Sequence, residues 1–328
     1  MPINLPSVAV VIPAWNAGRW LRAAVASALE QTHQVALVVV VDNASTDGSV
    51  DSLSFTDARL TVLRLAANRG ACAARNLGWR HAVEQSSADW IQFLDADDAL
   101  KPDKIAVQLA EAEELRDVDV LHSPVIHQVW QADATSPSDE AVQQIDSSRD
   151  LISQWLRWEV GQTGALLWKG SALETIGGWN DEQPCCQDNE ITLRAIMAGL
   201  TFRFAPAAGA IYRHWTEQTL SRKDPAKTLN ERARLTLEMV QWLTKQRQAL
   251  TGEQLETLSE EAYAVARSLA ATGPEGLHAA HDWLRQLGGI ASIEPRGRAC
   301  PPSYRLLTRV LGFRGSEKLA ARLRDLKH

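Results

Sequence analysis

No stretch of this chain approaches the ~20 consecutive apolar residues that a membrane-spanning helix requires, so no segment reads as a transmembrane span. The opening residues, Met1-Pro2-Ile3-Asn4-Leu5, lack the basic start and long apolar centre of a secretory signal. Cysteine is scarce. Cys72, Cys185, Cys186 and Cys300 show no C-x-x-C spacing, and four are too few for a disulfide framework in 328 residues. These absences predict a reducing, cytoplasmic setting. An excess of positive charge is missing too: 34 Lys and Arg face 40 Asp and Glu, for a net charge of −6. A general nucleic-acid binder needs a basic footprint, so no nucleic-acid partner is expected. There is no G-x-x-x-x-G-K-[ST] and no G-x-G-x-x-G after the first strand, which argues against ATPase and NAD-dehydrogenase readings.

What is present suits a globular protein of one large or two modest domains: 45% of residues are hydrophobic and 23% charged. The first ~125 residues alternate strand and helix patterns. Val8-Ala9-Val10-Val11-Ile12 is a β-branched run of the kind buried on both faces of a sheet. Trp20, Leu21, Ala24, Val25, Ala28 and Leu29 then fall on one helical face. Further strands are expected at 35–41, 60–65, 90–94 and 118–125, with helices over 71–84 and from Pro102. Alternation of this kind predicts an α/β fold with a mostly parallel, doubly wound sheet flanked by helices. Residues 127–148 read as a polar loop or an acceptor-side insertion. Beyond ~150, a strand over 164–168, a helix over 189–198 and extended segments over 201–212 are expected, and from ~225 the chain becomes helical. A boundary is placed near Asp224-Pro225, dividing a 1–224 α/β domain from a 225–328 helical region for packing, oligomerisation or membrane-surface contact. From Arg296 to Lys327 there are nine Lys/Arg and two Asp/Glu, beside Leu306, Leu307, Val310, Leu311, Leu319, Leu323 and Leu326. A basic amphipathic tail can lie on an anionic membrane surface, or present a solvated face while packing on the body.

In open α/β sheets, ligands bind beyond the carboxyl ends of the strands. Four polar loops follow four strands here: Pro13-Ala14-Trp15-Asn16, Asp42-Asn43-Ala44-Ser45-Thr46-Asp47-Gly48, Asn68-Arg69-Gly70 leading to Arg75-Asn76, and Asp95-Ala96-Asp97-Asp98. Two carboxylates two residues apart can share a hard divalent cation whose remaining ligands are phosphate oxygens. A lone D-x-D is common on surfaces; at the end of a buried strand it gains weight. Asp42 can accept a hydrogen bond from a base or ribose, or cap a turn. Trp15 can stack on a nucleobase or cover the sheet edge. Arg69 and Arg75 match phosphate oxygens, or form ion pairs.

These segments, with Gly177-Gly178-Trp179-Asn180-Asp181-Glu182, Gln187-Asp188-Asn189-Glu190 and Tyr212-Arg213-His214, resemble a family-2 glycosyltransferase of the GT-A fold over residues 5–222. The resemblance implies a nucleotide-sugar donor. Asp42 would hold the base, beside Pro13, Ala14, Trp15 and Asn16. Asn68, Arg69, Gly70 and Arg75 would line the donor, Asp95 and Ala96 would approach the ribose, and Asp97 would bind Mn²⁺ or Mg²⁺. His214 would complete the metal shell or touch the diphosphate. Asp188 would be the general base of an inverting transfer, with Glu190 as the competing carboxylate; Gln187 replaces the acid that commonly precedes the base. Uridine is the implied base, and the acceptor is a glycan or lipid-linked hydroxyl in cell-surface polysaccharide synthesis, at the inner face of the membrane. Acceptor contacts are expected from 127–180, with Trp179 offering a flat face to a sugar ring. The Gln-x-x-Arg-Trp motif of processive relatives is absent. Two alternatives stand beside this reading: a catalytically inactive nucleotide-sugar-binding scaffold, and a sugar nucleotidyltransferase. The second expects a Gly-rich basic loop that Trp15-Asn16-Ala17-Gly18-Arg19 matches poorly.

Overall fold

The computed structural model describes residues 5–54, 56–111, 117–131, 133–215, 224–246 and 249–325. The first four residues, positions 216–222 of the resemblance, and Leu326 and Lys327 of the basic tail lie outside them. The chain forms two compact units: Met1–Ser147 with Val160–Glu217, and Ser148–Glu159 with Gln218–His328.

The first unit is built on a seven-stranded sheet. Its centre is β1 (Val8–Ala14), parallel to β2 (Leu37–Asp42) on one side and to β4 (Trp90–Phe93) on the other. Every residue of β2 and β4 is buried, as the unbroken β-branched and aromatic runs require of strands covered on both faces. β3 (Leu60–Arg64) extends the sheet beyond β2. Beyond β4 lies β9 (Leu167–Lys169), antiparallel to both β4 and β6 (Val120–His122), and then β10 (Phe202–Phe204). The order is β10-β6-β9-β4-β1-β2-β3. The expected α/β class therefore holds, with one antiparallel insertion.

Helix α1 (Trp20–Leu29) buries the six residues that periodicity places on one face. α2 (Gly70–Ser86) lies close on the sheet: a Cβ at Gly78 would stand 2.3 Å from Val11 Cγ1 and 3.1 Å from Val41 Cγ2. α3 spans Lys104–Ala110, so Pro102 precedes the helix rather than opening it.

A second, four-stranded sheet runs β5-β11-β7-β8, with β5 at Ala99–Leu100, β7 at Val125–Val129, β8 at Asp139–Val142 and β11 at Ala210–His214. This corrects the loop expected over 127–148. β8 (Asp139-Glu140-Ala141-Val142) is exposed along its whole length, so it carries no apolar run. Charge at such a position is a common guard on an edge strand. The single strand expected over 118–125 is divided at Ser123-Pro124 into β6 and β7, which belong to different sheets.

The second unit is helical. α4 (Leu151–Leu156) packs on α8 (Gly252–Ala270), which also contacts α7 (Pro225–Lys245) and α9 (Pro274–Gly288). A cut at 224/225 does not express the inclusion of Ser148–Glu159. Asp150 explains it: its Oδ1 accepts from Ile152 N at the start of α4 and from Gln254 Nε2 on α8. Gln254 itself completes a capping box with Thr251. α10 (Pro302–Asp325) closes the described chain. No described helix is long and apolar enough to cross a membrane.

Candidate active site

The carboxyl ends of β1, β2 and β4 carry Asn16, Asp42 and the Asp95–Asp98 loop; Arg75, Asp188 and His214 come from helices and a strand of the same first unit. At the end of β2, Asp42 is buried; its Oδ1 accepts from Ser45 N at 2.8 Å and its Oδ2 pairs with Arg64 at 3.0 Å. Asn16 accepts from Thr46 N through Oδ1, and its own N–H donates to Ser45 Oγ at 3.2 Å. The loops after β1 and β2 are thus laced together. Trp15 stands 57% exposed beside them, with its ring available for stacking. Asn43 donates to Asn68 Oδ1, which also accepts from Gly70 N, while Asn43 Oδ1 accepts from Arg69 N. These side-chain-to-backbone bonds fix the turn into α2, and the Arg69 side chain is exposed beside it.

Arg75 behaves differently. Its guanidinium is buried, donating to Asp95 Oδ1 at 2.6 Å and to Gln187 Oε1 at 2.8 Å, and it lies 4.4 Å over the Trp179 ring. It bridges the acidic loop after β4 to the start of α6 (Gln187–Met197), the helix after α5 (Gly170–Ile176). Trp179 is only 3% exposed and packs edge-on against Phe93, so the flat sugar platform expected there is not on the surface. The reason is local: Asn76 accepts from Trp179 N and donates to its carbonyl, drawing the Gly177-Gly178-Trp179 turn inward.

Four carboxylates gather here. Burial and the charge of Asp95 raise the proton affinity of Asp97, whose Oδ2 accepts from Trp215 Nε1 at 3.0 Å. Asp98, fully enclosed, is raised further by burial and by Asp97 and Asp95, although Arg213 N donates to it at 2.8 Å. Asp188, in the first turn of α6, is pushed up to about 7, chiefly by burial, with Arg75 opposing the shift and Asp95 adding to it. Tyr212 on β11 is raised by burial and by the charges of Asp98, Asp95, Asp97 and Asp188, so all four acids act on one side chain. Crowded carboxylates are a donor set that a hard divalent cation satisfies. Among the described residues, however, no three His, Cys, Asp or Glu form a ready-made metal cage. Phosphate oxygens would have to complete such a shell.

The short 3₁₀ turn Thr163–Ala165 joins the acidic loop to α6, and nothing in the sequence marked it. Gln162 donates to Asp98 Oδ2 at 3.3 Å, and the next residue, Thr163, donates to Asp188 Oδ1 at 2.5 Å. Glu190 is occupied elsewhere, in a two-oxygen pairing with Arg194 at 2.7 and 2.9 Å. His214 on β11 lies with Nε2 3.0 Å from Nδ1 of His127, its neighbour on β7, a partner the sequence did not suggest.

Known proteins resemble this chain in part of its sequence and in its fold. A profile described as Glycosyl transferase family 2 matches residues 9–160. A putative teichuronic acid biosynthesis glycosyltransferase, TuaG of Bacillus subtilis, is 38% identical over 107 residues, covering 32% of this chain and 41% of that protein. This chain therefore spans about two fifths of that relative's length. Among solved structures, residues 1–349 of S. aureus TarS in complex with UDP-GlcNAc superpose with a TM-score of 0.62, at 14% identity over 97% of this chain and 92% of that one. The mannosyltransferase PcManGT from Pyrobaculum calidifontis, in complex with GDP-Man and Mn²⁺, gives a TM-score of 0.51 at 18% identity over 97% and 87%.

Proposed function

We propose that this chain, whose residues 9–160 match the Glycosyl transferase family 2 profile, moves one sugar from a nucleoside-diphosphate donor to an acceptor hydroxyl with inversion. The observation that carries the reading is Asp188: a half-buried carboxylate, proton affinity near 7, beside the Arg75–Asp95 ion pair and held by Thr163. A base poised near neutrality combines a useful ionised fraction with real affinity for the proton.

In this reading Asp188 takes the acceptor's hydroxyl proton while that oxygen attacks the anomeric carbon. The bond from that carbon to the diphosphate breaks, and its electron pair leaves with the diphosphate. One displacement means one inversion, so an α-linked donor gives a β-linked product. Asp42, Trp15 and Asn16 would hold the base, Asp95 the ribose, and the exposed Arg69 a phosphate. Arg75 is reassigned from phosphate contact to holding Asp95 and Gln187 in place, because both of its terminal nitrogens are already committed. A divalent cation at Asp97, Mn²⁺ or Mg²⁺, would supply neutralisation of the charge that builds on the departing diphosphate. The crowded acids support that assignment, as does the Mn²⁺ in the PcManGT complex. His214 would have to serve through its other nitrogen, since Nε2 meets His127. UDP is the proposed nucleotide, in line with the TarS complex, and a cell-surface polysaccharide precursor the proposed acceptor, in line with TuaG.

Isothermal titration with UDP, with and without Mn²⁺, tests the donor site. Metal-dependent binding is expected; its absence would favour a scaffold. Asp188→Asn should then keep donor binding and lose transfer. Near-normal transfer by that variant would remove the base from Asp188.

A further inference from the structure

We propose that one face of α10 seats this chain on an anionic lipid surface. α10 breaks at Gly312, where φ is +64° and ψ 175°, a conformation that glycine adopts without strain. The helix is held by Tyr304 and Phe313, 5% and 8% exposed, with Phe313 edge-on to Tyr263, and by the buried Glu317, which accepts from Arg267 at 2.9 Å. Before the break, Leu306 and Val310, one helical turn apart, are 63% and 73% exposed; beyond it Leu323 is 51% exposed. Isolated exposed leucines are ordinary, but two large apolar side chains stacked one turn apart and open to solvent make a contact surface.

Charge says what covers it. Arg309 lies beside Leu306 and Val310, and Lys318 and Arg322 follow at i, i+4 spacing before Leu323. None of the three cations makes an ion pair among the described residues. The segment from Arg296 to Lys327 carries about +7 in a chain of net charge −6. A basic flank beside exposed apolar side chains is the pattern of a helix lying in the plane of an anionic membrane, where apolar insertion and electrostatic attraction act together. Pairing of this face with the same face of a second copy would press like charges together. No described helix can cross a bilayer, so the contact is peripheral. It does not depend on the transfer chemistry.

The test is co-sedimentation of the full chain with phosphatidylcholine vesicles and with phosphatidylcholine–phosphatidylglycerol vesicles. Binding to the anionic vesicles alone is expected, weakening as salt is raised. At about 1 kcal/mol per basic residue near such a surface, Arg309→Gln should weaken binding roughly five-fold. Leu306→Gln with Val310→Gln should abolish it. These positions are exposed, so the melting temperature should be unchanged. No binding to either vesicle, or equal binding to both, would overturn the proposal. So would a lipid-free dimer, seen by sedimentation velocity, that the Leu306 and Val310 changes dissociate.

Discussion

The hydroxyl of Thr163 lies 2.5 Å from Oδ1 of Asp188 and donates to it, from a side chain only 1% exposed. This contact ties the candidate base to the strand system that carries Asp98. It also has a measurable consequence. A hydrogen bond to a charged group contributes about 1.5–3 kcal/mol, and one pKa unit corresponds to about 1.4 kcal/mol. Thr163→Val should therefore raise the proton affinity of Asp188 above its present value near 7. The acidic limb of the kcat/KM profile should move up by about one to two pH units, with the alkaline plateau largely kept. Thr163→Ser should restore the original limb. An unmoved limb in Thr163→Val would mean that the hydroxyl only packs.

Asp188 predicts an opposition between activity and stability. Its carboxyl titrates near 7 in the folded chain against 3.8 ordinarily. Between those values the folded state holds a proton that the unfolded state has released, so stability falls as pH rises through this window, and the deficit persists above it. Asp188→Asn removes the titration. The variant should melt higher than the parent at pH 8, by an amount on the order of 4 kcal/mol at most, and the difference should vanish near pH 4. Transfer should fall by roughly 10²–10⁴-fold, the usual contribution of a positioned base. Thermal melts across pH, paired with turnover at pH 8, check both halves.

How far the sequence disclosed this site depended on whether a residue's role was local. The positions of Asp42, Asp95 and Asp97 are legible because each lies at or just beyond the end of a strand whose apolar run is visible in the chain itself. β2 and β4 could be drawn from that run alone. Thr163 and Gln162 were not legible. They gain meaning only when β9 inserts antiparallel between β4 and β6 and delivers the preceding turn between Asp98 and Asp188. Trp179 was misplaced for a similar reason: an aromatic after two glycines looks like a surface platform until Asn76, about a hundred residues earlier, is seen to bind its backbone. β8 left no trace because an exposed strand needs no hydrophobic alternation. Arg75 could be recognised as important, but not that Asp95 and Gln187 would occupy it.

The close approach of α2 to the sheet gives a prediction about the frame that holds these loops. Gly78 faces Val11 and Val41, and an added methyl would overlap Val11 Cγ1 at 2.3 Å. Alanine is the better helix former by about 1 kcal/mol, yet overpacking of a buried contact costs about 1–3 kcal/mol. Gly78→Ala should thus gain little or lose up to about 2 kcal/mol in a denaturant melt, and Gly78→Val should lose more. Pairing Gly78→Ala with Val11→Ala should recover part of the loss if the two methyl groups collide. A clear gain in stability for Gly78→Ala alone would show that the helix can lift away without cost.

Glu190 supplies the discriminating control for the base. It sits two residues beyond Asp188 on the same helix, and from sequence either carboxylate could serve. In the fold both oxygens of Glu190 engage Arg194, whose Nη1 and Nη2 also hold the carbonyls of Ile176 and Gly178 at 2.6 and 2.7 Å. Glu190 therefore fixes the turn that brings Trp179 beneath Arg75, and its carboxylate is committed to the Arg194 ion pair. Glu190→Gln keeps the shape and one of the two hydrogen bonds. It should cost about 1–3 kcal/mol of stability, with kcat/KM within a few-fold of the parent and its acidic limb unmoved. Arg194→Lys should lower stability as well, because an ammonium cannot reach two carbonyls and a carboxylate from one plane. If Glu190→Gln instead abolished transfer while Asp188→Asn spared it, the two carboxylates would exchange roles.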